Sequence, residues 1–311
     1  MMRIEYEPDF VEQAVFLFAR RDGRLERELH RLVDPLYGID ELERREHAFR
    51  AAYLEWFRRF GLDRPATDLI AERPLIGASI ERCIVRAAAR KKAESAELFV
   101  RDAESAPGRE CRTLVIQVCP QSLVDSTTVV SRLRRELLHV ADMLDPTFGY
   151  ARDALEGRPS TQNLVRDRYH VLWRLYVEMR LREERPASDD LTPRLREDFD
   201  RAFVTHGQAP PPQVFAFVAA QRGLTHARLL QWSTDPQVLL TESGVSVSYS
   251  GSGPAPGAPC PICEFPTHDW YEFPAAGPDL TSSLRDYHPD WSVGEGLCRR
   301  CAETLVAAGI A

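Results

Sequence analysis

Lysine is nearly missing from this chain. Among its 40 basic residues only Lys91 and Lys92 are not arginine, a bias that fits a GC-rich bacterial genome better than a task. An excess of positive charge is missing too. The formal net charge is −7, and no block of like charge is long enough to act as a polyanion-binding arm. No apolar run approaches the ~18–20 residues that a membrane helix needs. The start, from Met1 to Phe10, has neither an apolar stretch nor a small-residue cleavage site. These absences argue for a cytoplasmic protein without a membrane partner. Cysteine is scarce as well. Four of the seven form two Cys-x-x-Cys pairs, while Cys83, Cys111 and Cys119 are scattered, each explicable as a small buried thiol. In a reducing compartment the pairs favour metal over disulfide.

What remains is an ordinary globular composition, 44% hydrophobic and 28% charged, in 311 residues. Apolar positions at helical spacing predict helices over 8–32 (interrupted at Gly23), 39–60 with Gly61 as C-cap, 75–92, 161–185, from Leu191 to about His206, and 215–232 broken at Gly223. Ala96–Val100 and Thr113–Val118 flank a polar loop and read as a β-hairpin. Residues 235–247 look β-like and polar. The stretch from Ser248 to Pro259, rich in Gly, Ser, Ala and Pro, reads as a flexible linker. The expected organisation is a mainly helical α+β body over 1–247, a linker over 248–259 and a cysteine-rich module over 260–311.

That module carries the most specific signal. Cys260-Pro261-Ile262-Cys263 and Cys298-Arg299-Arg300-Cys301 are two knuckles separated by a short stretch, expected to be β-type, with Trp270, Tyr271, Phe273 and Trp291. Four thiolates satisfy tetrahedral Zn²⁺ and leave no open position, so the zinc is expected to be structural. A redox pair or iron–sulfur ligation is the alternative. His268 and His288 are surplus as ligands. Knuckle, strands, knuckle and helix together resemble a zinc ribbon or treble clef.

The other signal is a helix predicted over about 122–145, leading to Asp145-Pro146-Thr147-Phe148-Gly149-Tyr150. Glu136, His139 and Asp142 recur every third residue and share one side. Leu133, Leu137, Val140, Ala141 and Leu144 form an apolar stripe. Pro146 stops the helix. The pattern resembles the zincin metallopeptidase helix, His-Glu-x-x-His, here Arg-Glu-Leu-Leu-His, and the whole resembles a bacterial family of zincin-like domains with C-terminal zinc ribbons. The resemblance implies a fold with an edge strand beside a peptide cleft, Glu136 as general base and His139 as a zinc ligand. Asp145 stands where one variant places its third ligand, and Asp142 where that variant has a turn glycine. Arg135 occupies the first-ligand position, and a guanidinium cannot donate to a metal. A second zinc in the cleft would therefore need Asp142, Asp145, His170 or Glu178 as substitutes. The resemblance places the cleft between Val115–Val118 and the helix.

Other readings compete. Glu-x-x-His occurs by chance on surface helices. A di-iron carboxylate site would need a second such motif, and Asp167-x-x-His170 is the nearest approach. The functional expectation is a metallopeptidase-related protein, degenerate at Arg135, with a peptide-binding cleft and a structural zinc. The alternative is a non-catalytic adaptor whose zinc module docks a protein or a nucleic acid.

Overall fold

A computed structural model describes residues 2–103, 106–124, 126–152, 159–184, 191–204, 209–245, 254, 258–267, 269–273, 280–289 and 291–307. The fold is α+β and mainly helical. The chain divides by contacts into two units, Met1–Pro146 and Thr147–Ala311, a division that falls inside the stretch expected to be one body.

In the first unit, β1 (Arg3–Tyr6) leads into five helices: α1 (Pro8–Ala19), α2 (Gly23–Val33), α3 (Leu42–Arg59), α4 (Arg64–Ala71) and α5 (Pro74–Ser79). Then come β2 (Arg82–Ala87), β3 (Ser95–Ala103), β4 (Ala106–Val118), α6 (Pro120–Val124) and α7 (Ser126–Leu144). Local chemistry explains many of the boundaries. The Asp22 side chain accepts the Arg24 N–H at 2.8 Å and caps α2. Gly61 takes φ +67° just past α3, the left-handed position expected of its C-cap.

The helix expected over 75–92 is not continuous. It ends at Ser79, and Arg82–Ala87 is a strand in which Cys83 and Val85 alternate with more exposed neighbours. The hairpin forms as expected and joins a larger, four-stranded sheet, in the order β1-β2-β4-β3. The first three of these are mutually parallel, and β3 runs antiparallel at the edge. Alternation assigns the two faces. Cys83, Val85, Ala96, Leu114, Ile116 and Val118 join one core with Phe10, Phe57, Leu133, Leu137 and Val140 of the helices. The opposite face carries polar side chains, including Glu5 paired with Arg82 at 2.5 Å and Glu97 accepting from Ser95 at 3.0 Å.

The second unit is built around α8 (Pro159–Glu184), against which α9 (Thr192–Ala202), α10 (Pro212–Ala219) and α11 (His226–Thr234) pack. The break between α10 and α11 comes at Gly223, which has φ +65°. The region expected to be β-like is helical instead: α12 (Pro236–Glu242) starts at an Asp235 cap with Pro at its first position. Phe148 and Tyr150 stack on Trp173 at 5.3 and 5.7 Å, so the turn after the motif helix is seated on α8. The cysteine-rich tail adds α13 (Leu280–Tyr287) and α14 (Arg299–Ala307). The stretch between the knuckles is thus partly helical. Its β character is confined, among the described residues, to two bridges, Pro259–Pro266 and Trp270–Cys298. The expected linker lies largely outside the described residues, as do His268 and the end expected for α9 at His206.

Candidate metal centre and motif helix

The first knuckle is a tight turn. The Cys260 N–H donates to the Phe265 carbonyl at 2.9 Å, and the Glu264 N–H donates to the Cys260 carbonyl at 2.8 Å. Closing it puts Glu264 at φ 60°, a conformation that suits glycine. The second pair uses the start of α14. Cys298 precedes that helix and its sulfur accepts the Cys301 N–H at 3.3 Å, so it serves as a sulfur N-cap. The Tyr271 N–H to the Leu297 carbonyl, 2.8 Å, and the Arg299 N–H to the Asp269 carbonyl, 2.9 Å, tie the helix start to the 269–271 segment. Gly296 (φ +71°) lets this crossing close, since a Cβ there would meet Pro254 at 2.4 Å and Trp270 at 2.9 Å.

The result brings all four expected ligands together. Their Sγ atoms lie within 4.8 Å of one another. A four-thiolate zinc with bonds of ~2.3 Å has sulfur–sulfur edges of about 3.8 Å. Cys263 Sγ and Cys298 Sγ are 3.8 Å apart, an edge of that tetrahedron and too long for a disulfide. Electrostatics point the same way. Burial opposes charge on Cys260, but N–H groups of Cys298, Cys263 and Ile262 outweigh it and bring the thiol down to about 7. Burial pushes Cys298 and Cys301 up, with neighbouring thiols adding to the rise. Such a cluster ionises fully only around a cation. Arg299 is engaged, its Nε 3.0 Å from Asp269.

Of the scattered thiols, burial pushes Cys83 up to about 12. Burial and then Glu94 raise Cys119, the reverse of an activated nucleophile.

Along α7, Leu133, Leu137, Val140 and Leu144 enter the core as expected. Asp142 is buried, Arg135, Glu136 and His139 are half-buried, and Asp145 lies just past the last turn with its N–H on the Ala141 carbonyl at 3.0 Å. Each of these five residues interacts with a neighbouring group. Among the described residues, only the four cysteines converge as a metal-type donor set. Glu178 is buried and His170 is exposed on α8.

Two flanking arginines anchor the helix. Arg134 makes a two-pronged bridge to Glu72 at 2.8 and 2.9 Å. Arg132 bonds Glu94 at 2.6 Å and also the Lys91 carbonyl, while the other Glu94 oxygen accepts the Cys119 N–H at 3.1 Å. Sequence reasoning missed Glu72 and Glu94, because nothing in the local pattern marks partners so distant along the chain.

One expectation is corrected. Val115–Val118 is not an edge: β4 pairs there with β2 on one side and β3 on the other, so its backbone groups cannot accept a peptide. The strand against which α7 packs, and which ends the sheet, is β3. No family model matches the chain, and neither a curated protein nor a solved structure shows detectable similarity to it.

Proposed function

We propose that this is a cytoplasmic bacterial protein of zincin-like descent that binds a peptide segment without hydrolysing it, and that its one resident metal is a structural zinc on Cys260, Cys263, Cys298 and Cys301. The observation that carries the reading is an order of parts: an antiparallel edge strand β3, its hairpin partner β4, and then a helix with Arg-Glu-Leu-Leu-His at the zincin position. An extended peptide would add to the open edge of β3 by backbone hydrogen bonds. Arg135 is the reason to read the site as non-hydrolytic. With one imidazole and a cation at the first-ligand position, the donor set does not fit a catalytic zinc, which needs three ligands and an open position. Glu136 then has no metal-bound water to deprotonate. In the tail, the second cysteine pair spans the N-cap and first turn of a helix, which favours a treble clef over a ribbon.

Metal stoichiometry tests this directly. Wild type should carry one zinc per chain, lost in Cys298→Ser and kept in Glu136→Gln and His139→Ala. Arg135→His should gain a second zinc that His139→Ala removes. Two zincs in wild type would refute the non-hydrolytic reading, and no gain in Arg135→His would refute the zincin descent.

A further inference from the structure

The first unit holds a cavity of about 690 Å³ between the start of α1 and the middle of α3, within the size range of small-ligand sites. One wall is aromatic. Tyr37 meets Phe49 edge-on at 4.9 Å and 65°, and Phe49 lies nearly parallel to Tyr53 at 6.4 Å and 21°, so two ring orientations meet steeply. The lining is also acidic, with Glu7 at the N-cap of α1, Asp9 and Glu12 within it, and Glu46 from α3. Arg50 is the cation among the lining residues, and it sits 3.3 Å from Glu46. Glu7 and Asp9 have an ordinary task in offsetting the dipole of α1. Glu12 accepts from the Tyr53 hydroxyl and Glu46 pairs with Arg50, and none of these tasks explains Tyr37, which stays 69% exposed while its ring is packed on Phe49.

Aromatic faces and carboxylates share one preference, for positive charge. The acidic lining disfavours anions, and the ring wall favours a cation that carries its charge on alkyl groups over a strongly hydrated ion. We infer that this cavity binds an organic cation with an alkylated ammonium head, stacked on Tyr37, Phe49 and Tyr53 and neutralised by Glu12 and its neighbours. The inference is independent of the zinc cluster and of the motif helix.

Calorimetric titration of the full chain with choline chloride, against its neutral isostere 3,3-dimethylbutan-1-ol at matched ionic strength, tests it. A trimethyllysine peptide and its unmodified counterpart, run in parallel, distinguish a free ligand from a modified side chain as the source of the head group. Choline or the trimethylated peptide should bind saturably, and about tenfold more tightly than its uncharged or unmethylated counterpart. Tyr37→Ala and Glu12→Gln, both at exposed positions, should each weaken binding about three- to tenfold with an unchanged melting curve. Three results would each overturn the inference: no saturable binding of either cation, equal binding of choline and the alcohol, or full affinity in both variants.

Discussion

Removing zinc from the tail is the perturbation whose size the structure makes plainest. The buried core of this module is Leu280, Leu284, Trp291, Leu297 and Ala302 together with Cys260 and Cys298, which are themselves ligands. Four large apolar side chains contribute about 1.5–3 kcal/mol each on burial, which cannot order a module of this size by itself. A structural zinc contributes about 10–16 kcal/mol of folding free energy, comparable to the whole stability of an ordinary domain. Chelation should therefore unfold the tail outright while the helices of the body persist. Fluorescence reports it through Trp270 and Trp291, with emission shifting to the red on metal loss. Limited proteolysis should release fragments from the region after residue 258 and leave 1–245 intact. Zinc release should follow the same time course. If the chelated protein keeps its tail resistant to protease, or if zinc leaves without any spectral change, the tail does not depend on the metal and the reasoning fails.

Other outcomes follow from single side chains. Glu264→Gly should relieve the left-handed strain at the first knuckle and stabilise the tail by about 0.5–1 kcal/mol, read as slower zinc loss to a competing chelator; faster loss would count against the strain. Glu94→Ala breaks a buried charge pair and strips the Cys119 N–H of its acceptor, so urea melting should show a loss of about 2–4 kcal/mol. A loss below 0.5 kcal/mol would mean that Arg132 finds another partner without cost. His226, whose Nδ1 shares a hydrogen bond of 2.6 Å with the Tyr169 hydroxyl, has its pKa lowered by burial. The unfolded imidazole then takes up a proton first, so its contribution is present above its ordinary value near 6.5 and is lost as pH falls below it. Melting between pH 7 and pH 5 should fall more steeply in wild type than in His226→Gln, and parallel slopes would remove His226 from that dependence.

Short-range patterns determined a good deal about this protein. The two Cys-x-x-Cys spacings placed all four sulfurs, because each knuckle is a local turn and both needed only one meeting point. The stripe Leu133–Leu144 located α7 and its buried side, and Gly61 and Gly223 marked the helix breaks where they occur. Where the reading went astray, the deciding partner was remote. Arg82–Ala87 is a strand because β1 and β4 flank it, and a helix-like run of residues cannot announce neighbours that far away. Asp235 and Pro236 start a helix that polar composition had suggested was β, since capping geometry outweighs propensity over so short a stretch. The identity of the sheet edge was likewise out of reach, because the order of strands is a property of pairing and not of any one segment. Tertiary structure alone seated Arg132 on Glu94 and Arg134 on Glu72, and it alone faced the acidic start of α1 toward the rings of Tyr37, Phe49 and Tyr53. Periodicity fixes which side of an element is apolar, and only the packing of elements from distant parts of the chain decides what that side, and the polar side opposite, will meet.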